Sequence, residues 1–173
     1  TATAAHMGLL TAQDSTSQAP YALSLLTFNT TAGALLELQR NGASLRAGTF
    51  TPVLIRETPW YRVVAGAYAD SASAAALLDS LRSKGMSDAS PAVIEKRPFA
   101  LQVERAIPDS AVANKLAMYQ SRGLPVYALM QANGTARLFA GAFKTKEEGA
   151  LLAETMRAAG LNTPIVYRTG RVY

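Results

Sequence analysis

The stretch Tyr61-Arg-Val-Val-Ala-Gly-Ala-Tyr68 returns, in altered form, as Ala136-Arg-Leu-Phe-Ala-Gly-Ala-Phe143. The central glycines, Gly66 and Gly141, are 75 positions apart, and the match continues at the same offset through the segment that follows. Self-similarity at a fixed spacing indicates that one supersecondary unit is used more than once. The sequence therefore predicts a small module made twice, and any function must be one that a small module can carry.

The composition agrees with two small domains and excludes several kinds of site. The chain has 173 residues, a net charge of +5 and no cysteine. Modules of half this length bury a limited share of their surface, so we expect them to gain stability from each other. Without cysteine there are no disulfides, thiolate zinc sites or cysteine nucleophiles. The mildly basic charge favours anionic partners without naming one, and an ordinary solvated surface explains it equally well.

The N-terminal segment is expected to lie outside the repeat. His6-Met7 is typical of a cloning remnant, so residues 1–7 are expected to be vector-derived. Residues 8–20 are rich in Thr, Ser, Gln and Ala and predict a flexible leader. A signal peptide or membrane anchor would then lie upstream of the sequence given. No apolar run reaches the roughly 18 residues that a membrane span needs.

Hydrophobic periodicity predicts the order β-α-β-β-α-β in each module. Only Arg97 and Pro98 separate the modules, which we place at residues 21–97 and 98–173, so we expect a fixed relative orientation. The order favours an α+β, ferredoxin-like fold, in which two helices cover one face of a four-stranded antiparallel sheet. The predicted strands are 21–25, 51–56, 60–67, 92–96, 99–103, 126–131, 135–142 and 165–168, and the predicted helices are 31–40, 71–84, 110–121 and 146–159.

Several residues mark the expected ends of these elements. Asp70 and Asp109 are predicted N-caps. Gly123 is placed as the left-handed residue just past a helix end. Turns are predicted at Glu57-Thr-Pro59 and at Asn133-Gly134, the latter being a strong hairpin signal.

Side chains alternate across a strand, so the face without helices is predicted to be open and to bind a ligand. Indole offers a flat apolar surface to a sugar or a base, and arginine offers a planar fork to a carboxylate or phosphate. A strand-edge tryptophan that covers a turn, with solvated arginines beside it, is the alternative. The residues placed outward are Ala22, Ser24, Leu26, Trp60, Arg62 and Val64 in the first module, and Ala100, Gln102, Glu104, Thr135, Arg137 and Phe139 in the second.

Catalytic templates find little support in this sequence. The one histidine, His6, lies in the expected cloning remnant, so neither a Ser–His triad nor a histidine zinc site can be built. The adjacent acids Glu147 and Glu148 are placed in the first turn of a helix, where the helix dipole favours them. There is no phosphate-binding loop. We therefore expect no catalytic residues, no metal and no cofactor.

The third-strand motif and its surroundings resemble the SPOR domain, the sporulation-related repeat of bacterial envelope proteins. The resemblance rests on "WYRVVAGAY" with "LRSKGM" in the first module and on "ARLFAGAF" with "TMRAAGL" in the second. It implies a tandem pair that binds peptidoglycan without catalysis, in particular glycan strands stripped of stem peptides. It also implies a place in the periplasm or cell envelope, or at the division septum, with other envelope or division proteins as further partners.

The resemblance also implies a set of glycan-binding positions on the open faces. Trp60 would pack on a sugar face, Arg62 and Arg137 would engage lactyl carboxylates, and two such sites would gain avidity. Each module departs from the family pattern, because the first has Ser24 in place of a glutamine and the second lacks the aromatic residue. The implied positions are Ser24, Thr27, Trp60 and Arg62 in the first module, and Gln102, Arg105, Thr135, Arg137 and Ile165 in the second.

Two other functions fit the same fold. A degenerate pair of SPOR-like modules, which lacks some residues of the family's binding pattern, could serve as a protein interaction unit in the envelope. The RNA-recognition fold has the same strand order and places aromatic residues on the same face, which would give single-stranded nucleic acid binding. Only one outward residue of the third strand in each module is aromatic, so no nucleic acid partner is expected.

Overall fold

The computed structural model describes residues 18–86 and 91–173. The predictions for residues 1–17, which cover the expected cloning remnant and most of the leader, lie outside the described residues. We call residues 18–97 the first half of the molecule and residues 98–173 the second half.

Both halves follow the predicted order of strands and helices. A short strand, β9, extends the second half beyond the prediction, and a 3-10 turn precedes its last helix. The first half contains β1 (Tyr21–Phe28), α1 (Thr31–Asn41), β2 (Thr49–Ile55), β3 (Thr58–Tyr68), α2 (Ser71–Ser83) and β4 (Val93–Lys96). The second contains β5 (Phe99–Ile107), α3 (Asp109–Ser121), β6 (Val126–Met130), β7 (Ala136–Phe143), the 3-10 turn Glu147–Gly149, α4 (Ala150–Ala158), β8 (Ile165–Tyr167) and β9 (Arg171–Val172).

Each half forms one antiparallel sheet. The strand order is β2-β3-β1-β4 in the first sheet and β8-β5-β7-β6-β9 in the second. The second order repeats the first, with β9 added beside β6. In both, the central pair joins the first and third strands of the half, which is the order expected of a ferredoxin-like sheet. The predicted α+β class is confirmed.

The predicted ends of the helices are correct at some positions and wrong at others. The Asp70 carboxylate accepts a hydrogen bond from the Ser73 amide at 2.7 Å, which confirms the N-cap. Gly123 has φ of 78°, as predicted for a left-handed residue past a helix end. The N-cap prediction for Asp109 is wrong, because α3 begins at this residue and Pro108 holds the cap position without a side-chain hydrogen bond.

The first hairpin turns earlier than predicted. β2 and β3 are joined by Arg56 and Glu57, which both take left-handed backbone angles, with φ of 51° and 67°. Two-residue turns of this kind match the twist of the strands they join, and they usually carry glycine or asparagine. Because Arg56 and Glu57 are neither, the sequence does not indicate this turn. Pro59 therefore lies inside β3, paired with Leu54, and the predicted turn over residues 57–59 is wrong. The hairpin at Asn133-Gly134 is confirmed, with φ of 82° at the glycine.

The helix-covered faces of both sheets form the main hydrophobic core. In the first half, Val63 and Ala65 of β3 are fully buried and belong to the same cluster as Leu77 and Leu81 of α2. In the second half the corresponding strand contributes Leu138 and Ala140, which are also fully buried. These inward positions of the third strands agree with the predicted alternation.

The opposite faces are not open, and that prediction is wrong over most of their area. The helix-free face of each sheet packs against that of the other through small or apolar side chains, none more than 3% exposed. One cluster joins Ala22 and Val64 of the first sheet to Ala142 of the second. A second cluster contains Ala19, Ala67, Ala100, Tyr127, Leu129 and Phe139. Covering such a surface is favourable by about 25 cal/mol per Å² of apolar area, which explains why it does not remain in contact with water.

Two fully buried arginines hold the halves together at equivalent positions. Arg97 follows β4 and Arg168 follows β8, and they are 2% and 0% exposed. The Arg97 amide donates to the carbonyl of Pro20 at 2.7 Å, and the Arg168 amide donates to the carbonyl of Pro98 at 2.7 Å. Each proline directly precedes the first strand of its own half. The backbone around the two arginines is thus arranged in the same way in both halves.

The two arginine side chains reach in opposite directions across the junction. Nη1 of Arg97 donates to the carbonyl of Ala142 in the second half at 3.1 Å. Nη1 of Arg168 donates to the carbonyl of Gly66 in the first half at 3.0 Å, and its Nε donates to the carbonyl of Arg97 at 2.8 Å. Gly66 and Ala142 both lie in the repeated Ala-Gly-Ala motif. The motif therefore provides each half with a carbonyl that the arginine of the other half binds.

The last part of the predicted leader belongs to this junction. Ala19 is fully buried, and its amide donates to the carbonyl of Arg168 at 2.9 Å. Gln18 forms an isolated antiparallel bridge with Thr169. The prediction of a flexible leader is therefore wrong for residues 18–20, since they pair with the C-terminal segment.

We expect Arg168→Met to lower the free energy of unfolding by at least about 2 kcal/mol. The substitution keeps an apolar stem but leaves the carbonyls of Gly66 and Arg97 without this donor in a buried junction. Urea unfolding followed by circular dichroism measures the change. Arg171→Met, at an exposed arginine of β9, is the matched control and should change stability by less than about 0.5 kcal/mol. Equal stability of the two variants would contradict the role of Arg168.

Candidate functional site

Three of the four site residues predicted in the first half lie together on the part of the sheet that the second half leaves accessible. Thr27 of β1 pairs with Arg62 of β3. Trp60 lies two residues before Arg62 on β3, so its side chain is on the same face. Nε of Arg62 donates to Oγ1 of Thr27 at 3.3 Å. All three side chains are partly exposed. The structure thus confirms that these residues share a face, but their predicted role in binding a glycan stays a prediction.

A β-bulge in β1 places Thr27 in this group. Ser24 pairs with Val64 and Thr27 pairs with Arg62, so three steps along β1 correspond to two steps along β3. With regular alternation Leu26 would have faced outward and Thr27 inward. The bulge turns Thr27 toward Arg62 on the outward face. The predicted outward position of Leu26 stays a prediction.

Ser24 shares this face, but its hydroxyl is already engaged inside the protein. The side chain is 5% exposed. Its Oγ donates to Oε2 of Glu95 at 2.6 Å and accepts from Nε of Arg97 at 3.1 Å. A ligand hydrogen bond to Ser24 would have to replace one of these contacts.

A cleft of about 510 Å³ lies beside Arg62, between the first sheet and the second half. We call it the junction cleft. One wall comes from β2 and β3, and the other comes from the start of α4 and the turn before it, which contact β2. The cleft is lined by Pro52, Val53, Leu54, Arg62 and Arg97 from the first half, and by Lys144, Glu147, Glu148, Ala150 and Leu151 from the second.

Glu95 balances two of the three cations of the cleft. Its Oε2 lies 3.1 Å from Nη2 of Arg97, and its Oε1 lies 3.2 Å from Nζ of Lys144. Burial tends to raise the pKa of the Glu95 carboxyl, but the hydrogen bond from Ser24 and the charges of Arg97 and Lys144 hold that pKa below its usual value. Glu95 is therefore ionised at neutral pH and has a partner on each oxygen.

Arg62 is the cation of the cleft that this carboxylate does not neutralise. Within residues 18–86 and 91–173, no carboxylate lies within ion-pair distance of its guanidinium. Burial lowers the pKa of Arg97, the Glu95 carboxylate opposes that change, and the charge of Arg62 lowers the pKa of Arg97 again. Arg62 and Arg97 are thus close enough to repel each other. A ligand anion beside Arg62 would relieve this repulsion.

The acids Glu147 and Glu148 lie on the second wall, at the turn that leads into α4. An Oε2 of Glu148 accepts a hydrogen bond from the Lys144 amide at 3.0 Å, so it caps the turn as the sequence predicts for an acid at a helix start.

The structure does not bring the predicted residues of the second half together. Ile165 pairs with Leu101 and packs against the main core on the helix-covered face, so its predicted place on the binding face is wrong. Its neighbour Val166 is on the helix-free side, beside Ala100. Val166, and not Ile165, is therefore the apolar residue of β8 on the helix-free side.

Arg137 and Thr135 are engaged with neighbouring polar groups. Nη1 of Arg137 donates to Oγ1 of Thr169 at 3.1 Å, in the segment that leads to β9. Oγ1 of Thr135 donates to Oδ1 of Asn133 in the hairpin turn at 2.7 Å. Gln102 is partly exposed and pairs with the fully buried Phe139. The predicted lactyl contact of Arg137 would compete with Thr169.

Two bulges in β5 change the faces of the residues that follow Gln102. The predicted outward position of Glu104 is wrong. It pairs with Leu138, and its carboxylate accepts from the Tyr119 hydroxyl at 2.6 Å and from Nζ of Lys115 at 3.1 Å, both on α3. Burial and the Glu104 contact raise the pKa of Tyr119 to about 12. Arg105, the next residue, is exposed.

Sequence reasoning missed Arg97 and Lys144 as residues of the cleft, and Glu95 as the carboxylate that pairs with both. In the sequence, Arg97 indicates only the junction between the modules. The available signal was the pair of opposite charges at Glu95 and Arg97, two positions apart at the end of a short strand. The ion pair between Glu95 and Lys144 joins the two halves, which a pattern within one module does not indicate.

Residues 17–92 match the family model of the SPOR domain. The match includes Thr27, Trp60 and Arg62 and ends one residue before β4. SPOR domains are peptidoglycan-binding modules without catalytic activity, found in proteins of the envelope and of division. A comparison with curated proteins found no match. None of the helices within residues 18–86 and 91–173 is long and apolar enough to cross a membrane.

We expect Glu95→Gln to lower stability at pH 7 but to have a progressively smaller effect at acid pH. The folded pKa of Glu95 lies below the unfolded value, so its ionised form stabilises the fold above the unfolded pKa, and this contribution is lost as pH falls through the folded pKa. Urea unfolding at pH 7, 4 and 3 tests this. Glu154→Gln, at an exposed acid of α4, is the control and should match the wild type throughout. A Glu95→Gln deficit that is the same at pH 7 and pH 3 would rule out the charge of Glu95 as its cause.

Proposed function

We propose that this protein binds peptidoglycan without catalysis and recognises glycan strands from which the stem peptides have been removed. One observation carries the proposal. Arg62 has no carboxylate partner among the described residues and lies beside Thr27 and Trp60, within the segment that matches the SPOR domain. The proposed setting is the periplasm or cell envelope, including the division septum, where other envelope or division proteins are further partners.

The chemistry of such a strand suits these three residues. Removal of a stem peptide leaves the lactyl group of the sugar with a free carboxylate. Arg62 binds this carboxylate through its planar guanidinium, since a charge-assisted hydrogen bond is stronger than one between neutral groups. The indole of Trp60 packs on the C–H face of a sugar ring, and the hydroxyl of Thr27 orients Arg62 and can bind a sugar hydroxyl or N-acetyl group.

We further propose that the chain is a tandem pair of SPOR-like modules at residues 21–97 and 98–173, with the glycan site in the first. The equal strand orders of the two sheets support the pair. Two equivalent sites with avidity are not supported, because Ile165 lies on the opposite face and Arg137 is hydrogen-bonded to Thr169. Gln102 and Arg105 remain as polar groups of the second module that could contact a longer strand.

A protein interaction role is the second candidate, and the packing of the sheets favours it. The helix-free face of each module is complementary to that of another module of the same fold, here within one chain. Under this alternative the same kind of face in another envelope protein would be the partner. The nucleic acid alternative lacks such support, because Phe139, the aromatic that would stack on a base in the second module, is fully buried.

We expect Arg62→Gln to abolish most of the pelleting of this protein with sacculi whose stem peptides have been removed by an amidase. Wild-type protein should pellet clearly more with the stripped sacculi than with untreated ones. Trp60→Ala should reduce pelleting as well, since an aromatic contact with a sugar is lost. Arg82→Gln is the matched control, because it removes the same charge from an exposed position near the end of α2 and should pellet as the wild type does.

The alternatives predict different results in the same experiment. Equal pelleting with both sacculus preparations would indicate general attraction to the basic surface. Unchanged pelleting of Arg62→Gln and Trp60→Ala would favour the protein interaction role. Tight binding to a single-stranded RNA oligomer, with an affinity that falls steeply as salt is added, would support the nucleic acid hypothesis.

A further inference from the structure

We propose that the junction cleft is one composite binding site, in which the second half of the chain supplies a wall that the ligand touches. This inference rests on the proposed function and adds to it, because a site on one sheet face would need only the first module. The ligand class is a sugar that carries a single isolated carboxylate, and dense polyanions are disfavoured.

The position of Arg62 is the first reason. Its guanidinium lines the junction cleft together with Ala150 and Leu151 of α4. A volume of about 510 Å³ is in the range of pockets that enclose small organic ligands. A carboxylate that reaches Arg62 from the cleft therefore brings the rest of its sugar ring between Val53 on one wall and Leu151 on the other. Leu151 is 38% exposed, so a ligand can cover it.

The charges of the second half are the second reason. Lys144 engages Oε1 of Glu95 at 3.2 Å, while Arg97 and Ser24 engage Oε2. With a partner on each oxygen, Glu95 is held away from the role of counter-ion to Arg62. The second half thereby helps to leave Arg62 available for an external anion.

The acids on the wall account for the selectivity. Glu147 and Glu148 line the same cleft as Arg62. One ligand carboxylate at Arg62 can be accommodated, but a chain of closely spaced phosphates or sulfates would also place charge beside these acids. Like charges brought together at an interface weaken binding. The site should therefore bind a muramic acid oligosaccharide and reject a polyphosphate of similar length.

A charge placed on the second wall tests the composite site in the full chain. Leu151→Glu adds a carboxylate opposite Arg62, in the first turn of α4, where the helix dipole tolerates an acid. Leu36→Glu makes the same change at an exposed leucine of α1 outside the cleft and is the matched control. The probe is a peptide-free tetrasaccharide of alternating N-acetylglucosamine and N-acetylmuramic acid, titrated calorimetrically. Chitotetraose, which lacks the carboxylates, and a short polyphosphate are titrated in parallel.

We expect the wild type and Leu36→Glu to bind the muramic tetrasaccharide equally within about twofold, and Leu151→Glu to bind at least about tenfold more weakly. Chitotetraose and polyphosphate should bind more weakly to the wild type than the muramic tetrasaccharide does. Thermal unfolding of both variants shows whether each is folded as the wild type is. If Leu151→Glu misfolds, Ala150→Asp on the same wall replaces it, with the same expectation.

The outcomes separate this inference from the proposed function. If Arg62→Gln loses binding while folded Leu151→Glu retains it, the composite site is wrong and a site on the first module alone stands. Polyphosphate binding as tight as that of the muramic tetrasaccharide overturns the proposed selectivity. If wild-type protein binds neither the muramic tetrasaccharide nor stripped sacculi, the proposed function fails and this inference fails with it.

Discussion

The crossed contacts of Arg97 and Arg168 are the constraint on which the rest of the arrangement depends. Each is a fully buried guanidinium from one half that binds a carbonyl of the repeated Ala-Gly-Ala motif in the other. Buried charges are costly unless hydrogen-bonded, so both arginines hold the sheets at one separation and in one register. The small side chains Ala22 and Ala142 then allow the faces to meet. Because the sheets meet only over part of their area, Trp60 and Arg62 remain partly exposed, and the junction cleft lies beside Arg62.

The repeat, the order of elements and the fold class could be predicted from the sequence because they depend on local periodicity. The same holds for Asp70, whose cap involves residues three positions apart. The burial of both sheet faces also has a signal in the sequence. Val64 and Phe139 are apolar at outward positions, and strands that are apolar on both sides are typical of sheets covered on both faces. Similarity between two stretches of sequence does not by itself indicate that the two halves pack on each other.

The candidate site could be predicted only in part, and the reason is the bulges. Trp60 and Arg62 lie on a regular stretch of β3, so alternation places them correctly. Thr27 and Glu104 follow irregular steps of β1 and β5, and one extra residue reverses every face beyond it. The ion pair between Glu95 and Lys144 could not be predicted from the sequence, since these two residues meet only through the packing of the two halves.

The crossed junction has a consequence for the order in which the chain can fold. The contact between Arg168 and Gly66 spans 102 positions, and the one between Thr49 and Gly141 spans 92. Contacts this distant in sequence form late, because a long loop must close before they stabilise anything. During synthesis the first half therefore emerges with Ala22, Val64 and Ala67 still in contact with water. Until Arg168 has been made, the first half carries an uncovered apolar sheet face, and this interval is when the protein is most exposed to aggregation or to capture by another chain.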